Sequence, residues 1–376
     1  MYSRYLDLSK LLKAKSYFLL GPRATGKTSL VRSQLKKAQI FDLLNSDVYD
    51  RFIRRPEALA EEITSNLVVI DEIQKIPRLL DVVHRLIEER KIIFLLTGSS
   101  ARKLKRGGAN LLAGRARSIQ LFPLTQNEIT DFDLLKYCRY GGLPIVYNSD
   151  NPWLDLKQYV QMYLHEEILA EALVRKVDHF ARFLDVFGLQ SGEELNYEKI
   201  ASDAAVPART VANFVEILKD TLLAFEMTSY KTKKRKAVSR SKIYLFDVGI
   251  ANYLSGRKNI LQKSEAFGKA FEHFILQEIR AALVYQQKDH DMFYWRTQNA
   301  EFEVDCIIGD QLAIEIKSSE TFSMSHLKGL KALAEERKIK KLILINCSKV
   351  ESKVDGIQIV PYQKFLQLLW SNKLIF

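Results

Sequence analysis

The clearest chemistry in the sequence sits in one short run, Gly21-Pro22-Arg23-Ala24-Thr25-Gly26-Lys27-Thr28, with Ser29 after it. Its spacing is GxxxxGK[ST], and it has the context that pattern needs: an apolar stretch before it, Tyr17 to Leu20, and a helix-like stretch after it, Ser29 to Lys36. The two glycines let the backbone curl round an anion, so that its N–H groups and the positive end of the next helix face phosphates. Lys27 is placed to reach β- and γ-phosphates, and the Thr28 hydroxyl to meet Mg²⁺. Gly21 to Ser29 are therefore the expected nucleoside triphosphate-binding residues.

Two further strand ends carry the rest of that chemistry. Leu67-Val68-Val69-Ile70 is an unbroken apolar run, as a strand covered on both faces requires, and it ends in Asp71-Glu72. At the carboxyl end of such a strand Asp71 would hold Mg²⁺ through water and Glu72 would polarise the attacking water. The plainer alternative is a solvated acidic pair. Ile92 to Leu96 is another buried run and ends in Thr97-Gly98-Ser99-Ser100, where Thr97 or Ser99 could sense the γ-phosphate or serve only as a turn residue.

A second constellation lies near the carboxyl end. Glu315 and Lys317 are two apart, so on a strand they share a face, and Asp305 lies on the preceding strand across a Gly309-Asp310 turn. Glu272 sits in a long helical pattern opening at Lys263. The order helix, strand, hairpin and strand with D-x₉-E-x-K is similar to the PD-(D/E)xK nuclease core. By that resemblance Asp305 and Glu315 chelate Mg²⁺, Lys317 orients or activates water, and Glu272 is a weaker fourth member. A structural Glu315/Lys317 network is the competing reading, and the two can coexist.

The stretches GPRATGKT, LVVIDEIQ, LLTGSS and LLAGRA, then Phe122-Pro123-Leu124 and Tyr140-Gly141-Gly142-Leu143-Pro144, resemble the prokaryotic AAA-type ATPases. Lys242 to Gly249 and the Gly268-x-x-Phe271-Glu272 helix extend the likeness to members with a C-terminal domain of unknown function. The resemblance implies ATP as the nucleotide, since no guanine-reading motif is visible. It also makes Arg115 the candidate arginine finger, stabilising charge on the transferring phosphoryl group of a neighbouring site, which would require a homo-oligomer. Arg115 could equally pair with a carboxylate of its own chain. Cys306 stands where the family often has an aromatic residue.

The elements that must position these groups suggest three parts. A parallel-sheet P-loop ATPase spans 1–150, a helical and winged-helix-like region 151–255, and a restriction-endonuclease-like α/β domain 256–376. A helix is expected over Arg54 to Ile63, another over Ile76 to Glu89, and a long one from Trp153 to Lys176. Tyr197 to Ala204 and Pro207 to Leu218 read as a helix-turn-helix; Leu222 to Met227 and Lys242 to Phe246 read as the arms of a basic wing. Lys231, Lys233, Lys234, Arg235 and Lys236 at its tip would contact nucleic-acid phosphates, with DNA the expected partner. The alternative is a solvated charge run on a packing module.

A net charge of +12 over 376 residues agrees with a polyanionic partner without requiring one. The three cysteines form no CxxC, and the six histidines form no HExxH-type pattern, so zinc and disulfide frameworks are not indicated. No secretory signal is evident, and no apolar run approaches the ~18 residues of a membrane span. The expected location is cytoplasmic. A small-molecule kinase is disfavoured, because no acceptor-binding or lid segment follows the phosphate loop. The leading expectation is an ATP hydrolase coupling nucleotide state to DNA engagement, with Mg²⁺-dependent cleavage as a C-terminal activity. Its alternative is a non-cleaving switch or scaffold.

Overall fold

The computed structural model describes residues 2–99, 112, 114–164, 177–232, 237–238 and 240–375. The fold is α/β. Contacts divide it into two compact units, Met1–Leu124 with Ile217–Leu223, and Thr125–Glu216 with Ala224–Phe376.

The first unit is built on five parallel strands: β1 (Ser16–Leu20), β2 (Gln39–Asp42), β3 (Leu67–Asp71), β4 (Ile93–Gly98) and β5 (Ala116–Gln120), in the order β2-β3-β4-β1-β5. β1, β3 and β4 are almost wholly buried, which is why they read as continuous apolar runs. β4 lies between β1 and β3, so the carboxyl ends of the three open on one crevice. The helix after the phosphate loop, α1 (Lys27–Gln34), starts two residues earlier than its sequence pattern suggested. The helix expected over 54–63 is instead two, Ser46–Arg54 and Ala58–Glu62, because Pro56 interrupts the ladder. A further helix, α2 (Leu79–Arg90), covers the sheet with Leu79, Leu80, Val83 and Leu86 in the core.

The second unit contains an eight-stranded mixed sheet. Its strands are β6 (Ala224–Ser229), β7 (Lys242–Leu245), β8 (Met292–Arg296), β9 (Glu303–Ile308), β10 (Leu312–Ile316), β11 (Lys341–Asn346), β12 (Ser352–Val354) and β13 (Ile357–Pro361). Their order is β12-β13-β11-β10-β9-β8-β6-β7. Helices α3 (Tyr197–Ala204) and α4 (Ala208–Asp220) form the expected pair, with Ala205 in a left-handed turn between them. The hairpin β6–β7 is not a free-standing wing. Thr228 and Ser229 pair in parallel with Phe293 and Tyr294, so its exposed edge is satisfied by the sheet that carries the C-terminal residues. The contacts thus group the chain differently from a division at 150 and 255. The long helix expected from Trp153 begins as Pro152–Gln158 and turns π-helical over Tyr159–Leu164; its remainder lies outside the described residues. No helix among the described residues is long and apolar enough to cross a membrane.

Two helices complete the frame, α5 (Val248–Leu254) and α6 (Glu265–Tyr285), followed near the end by α7 (Tyr362–Trp370). α5 is anchored by Asp247, which is fully buried. One carboxylate oxygen caps the helix by accepting from Gly249 and Ile250 N–H at 2.8 and 3.2 Å; the other accepts from Gly142 N–H at 2.8 Å. Gly141 has φ +76° and ψ −170°, a conformation open to glycine almost alone, and a Cβ there would lie 2.0 Å from Asp247 Oδ1. Burial raises the Asp247 carboxyl to about 6 against the pull of its three N–H donors. On α6, Glu278 is held in the same manner, accepting from Gln126 N–H and Trp370 Nε1–H, both at 2.7 Å, and burial raises it to about 8.

Gly141→Ala should lower the free energy of unfolding by at least about 2 kcal/mol, from backbone strain and the clash with Asp247; urea denaturation checks this. A carboxyl raised in the fold stabilises below its unfolded value and loses that contribution as pH climbs through its folded value. Stability should therefore fall by a few kcal/mol between pH 5 and pH 8 through Glu278. Glu278→Gln, whatever its absolute stability, should show a shallower slope over that window in pH-dependent melts.

Candidate functional site

In the first unit the phosphate loop turns through two left-handed residues, Ala24 (φ 61°) and Gly26 (φ 95°), before entering α1. Lys27, the first residue of α1, is buried, and its Nζ donates to the carbonyls of Gly21 at 2.7 Å and Pro22 at 3.1 Å. Thr25 Oγ1 donates to Pro22 O at 2.9 Å. Arg4, unremarked in the sequence, fixes the loop from outside, donating to Thr25 O at 2.8 Å and Phe122 O at 2.7 Å. Its signal is faint: a lone arginine far upstream of the motif.

Asp71 at the tip of β3 is buried and uses both oxygens. Thr28 Oγ1 donates to Oδ2 at 2.8 Å, and Thr97 Oγ1 donates to Oδ1. The Thr97 hydroxyl in turn accepts from Glu72 N–H at 3.1 Å. Glu72 is left-handed (φ 61°), as befits a residue whose side chain must leave the strand direction abruptly. Gln74 donates to both Glu72 Oε2 and Ser99 Oγ, the latter at 3.3 Å. Among the described residues its Oε1 is buried without a hydrogen-bond partner. The structure therefore brings Lys27, Thr28, Asp71, Glu72, Thr97 and Ser99 together. Of the two hydroxyls considered at the end of β4, Thr97 orients the acidic pair and Ser99, just past the strand, meets Gln74. Thr28 and Asp71 supply hard oxygen donors, the kind Mg²⁺ takes. Arg115 forms an ion pair with Glu88 on α2 of its own chain, the alternative weighed above.

The second unit gathers the C-terminal residues. The antiparallel register of β9 and β10 sets Ile314 opposite Cys306, and one step further sets Glu315 opposite Asp305. Lys317 Nζ lies 2.6 Å from Glu315 Oε1 and 3.7 Å from Asp305 Oδ2. Asp305 Oδ2 also accepts from Ile316 N–H at 2.7 Å. Glu315 is pushed well up by burial and by Asp305, with Lys317 offsetting only part. Burial opposes the charge on Lys317, yet Asp305 and Glu315 hold it above the ordinary lysine range. Glu315 Oε2 is buried and has no hydrogen-bond partner among the described residues.

Glu272 on α6 belongs to the same polar row, with two neighbours that sequence reasoning missed. Tyr244 donates to Glu272 Oε1 at 2.8 Å; Lys242 Nζ lies 3.8 Å from Glu272 and 2.7 Å from Glu303 Oε1. Burial raises Glu272, Lys242 opposes it, and Asp305 adds to it. Lys242 and Tyr244 were within reach as a K-x-Y alternation on one strand face. No group of three or more His, Cys, Asp and Glu able to hold a metal occurs among the described residues. Asp305 and Glu315 are thus a two-carboxylate set, whose oxygens fit a hard cation. Lys231 is exposed at the end of β6; Lys233, Lys234, Arg235 and Lys236 lie outside the described residues.

Comparison with known proteins separates the parts. Residues 13–130 match the AAA domain. Residues 131–260 and 267–365 match two domains of unknown function, DUF8612 and DUF4143. An uncharacterized protein of Mycobacterium tuberculosis is 27% identical over 329 residues, covering 84% of this chain and 73% of the relative. One from Methanocaldococcus jannaschii is 26% identical over 349 residues, covering 82% and 76%. A solved Walker-type ATPase of Pyrococcus abyssi is similar with a TM-score of 0.44 and 15% identity, over 66% of this chain and 93% of that one. The AAA match and the geometry of the phosphate loop together support nucleotide binding and hydrolysis by the first unit.

Thr97→Val removes the group that joins Asp71 to the Glu72 amide while keeping side-chain shape. ATP turnover should fall roughly a hundredfold, the low end for groups governing proton transfer, with nucleotide affinity changed only a few-fold. Steady-state hydrolysis and nucleotide titration check the two halves.

Proposed function

We propose that this protein is a Mg²⁺-dependent ATP hydrolase whose nucleotide state governs engagement of DNA, and that its second unit cleaves phosphodiester bonds. The observation that carries the second part is the buried meeting of Asp305, Glu315 and Lys317, with one Glu315 oxygen left unsatisfied.

In the first unit, Gly21 to Ser29 hold the triphosphate, Lys27 leaves its own loop carbonyls for the β- and γ-phosphates, and Glu72 orients and deprotonates the attacking water. Thr28 and Asp71 would hold Mg²⁺, which neutralises charge on the phosphates when bound. A second copy would lend Arg115, freed from Glu88, to the transferring phosphoryl group; that role requires a homo-oligomer. In the second unit Asp305 and Glu315 would hold Mg²⁺, which stabilises charge on a scissile phosphate, while Lys317 orients the water. Exposed Lys231, the following Lys233, Lys234, Arg235 and Lys236, and Arg209 on the first turn of α4 supply phosphate contacts.

One observation favours a second reading. Among the described residues no third His, Cys, Asp or Glu joins the two carboxylates, a sparse metal site that suits a fold binding nucleic acid or a protein partner without cutting, under nucleotide control.

The deciding experiment is Mg²⁺-dependent cleavage of plasmid, linear duplex and single-stranded DNA, with and without ATP, in the wild type, Lys317→Ala and Lys27→Ala. Cutting lost in Lys317→Ala, with DNA binding retained, is expected, and its response to Lys27→Ala reads the ATP control. Absence of cutting on every substrate, alongside ATP hydrolysis lost in Lys27→Ala, selects the switch.

A further inference from the structure

Between α5, α6, β7 and the turn at 191–193 lies a cavity of about 130 Å³, lined in part by Glu193, Lys242, Asn252, Arg257, Lys269 and Glu272. Three of these six are cations, and they differ in how far they are already committed. Lys242 is buried against Glu303 and Glu272. Lys269 is partly exposed, with Nζ 2.8 Å from Glu193 and 3.4 Å from Glu265. Arg257 bonds through its backbone N–H to Asn252 O, but among the described residues no carboxylate comes within ion-pair distance of its guanidinium. A guanidinium without a direct ion pair, with Glu193 acting on it only at longer range, stands beside an ammonium on one polar cavity and can receive an oxyanion.

Size narrows the class. The cavity far exceeds the ~10–15 Å³ that one water needs and falls well short of the ~300 Å³ at which pockets begin to accept drug-sized ligands. It has room for a tetrahedral anion.

We propose that this cavity binds a free oxyanion of the phosphate class, held by Arg257 and Lys269, with Glu193 as the internal carboxylate that the anion displaces from Lys269. The site is separate from the phosphate loop, and it stands whether or not the second unit cuts DNA.

The test is calorimetric titration of the full chain with inorganic phosphate at fixed ionic strength. Every arm carries Lys27→Ala, so that any phosphate held by the loop is weakened and common to all. Saturable binding is expected. Arg257→Ala should weaken it at least tenfold, Arg257→Lys less, and Glu193→Gln should tighten it several-fold by removing the competitor. Should Arg257→Ala not fold, the Lys and Gln variants decide alone. No saturable binding, equal affinity with and without the Arg257 substitutions, or weaker binding in Glu193→Gln would each overturn the proposal. A 5′-phosphorylated dinucleotide competing as strongly as phosphate would overturn the assignment to a free anion.

Discussion

The geometry of the first unit hangs on Asp71, because a carboxylate has two oxygens and here each is taken by a different element. Thr28 ties one to the start of α1 and Thr97 ties the other to the tip of β4. The start of α1 and the tips of β3 and β4 are thereby joined at one buried charge. The Thr97 hydroxyl, having donated to Asp71, is left as an acceptor, and the amide of Glu72 occupies it. That bond holds Glu72 in its left-handed backbone conformation, which costs a non-glycine residue about 1–3 kcal/mol and persists only where neighbours over-determine it. The acidic pair is thus not simply placed at a strand end; its orientation is set by a hydroxyl on the third strand after the phosphate loop in sequence, a strand that lies next to β1 in the sheet.

The second unit solves a similar problem with more charge. From Arg296 through Glu303, Lys242 and Glu272, ion pairs run across β8, β9 and β7 to α6. Taking such groups from water costs several kcal/mol per ion, and their mutual attraction repays it only with good geometry. A sheet of strands otherwise as apolar as β10 could have been closed with Val or Leu at lower risk. The row sits where α6 crosses the face of the sheet, and it is also where the small cavity opens, so polar character and access coincide.

Legibility in the sequence followed distance along the chain. The phosphate loop is one continuous motif, and β1, β3 and β4 are unbroken apolar runs because both faces are covered; each could be read locally. β5 could not, since Arg117 and Ser118 are exposed and the run carries little apolar signal. The helix Ser46–Arg54 is signalled by its Asn45 cap and by Val48, Tyr49 and Phe52 at helical spacing, but the run is short and Pro56 follows closely. Asp305, Glu315 and Lys317 were legible because a short hairpin brings them together. Lys242 and Tyr244 could be seen to share a strand face, but not to meet Glu272 and Glu303, because that depends on the β6–β7 hairpin joining a sheet whose remaining strands begin some fifty residues later. The wing-like hairpin shows the same limit: a hairpin looks independent until the partner of its outer edge is known, and here that partner is β8.

Two buried carboxylates of the second unit show how stability and function can be told apart. Glu278 and Glu315 are both raised by burial. Glu278 has an N–H donor on each oxygen, Gln126 on one and Trp370 on the other, and so fastens the start of the unit and α7 to α6. Removing it would orphan two donors. Glu315 has Lys317 on one oxygen and no described partner on the other, with Asp305 opposing it from the next strand. A half-satisfied buried charge beside a like charge is worse for the fold than an apolar residue of the same size. Glu315 therefore holds the fold less securely than Glu278 does, with one oxygen paired to Lys317 and the other without a described partner.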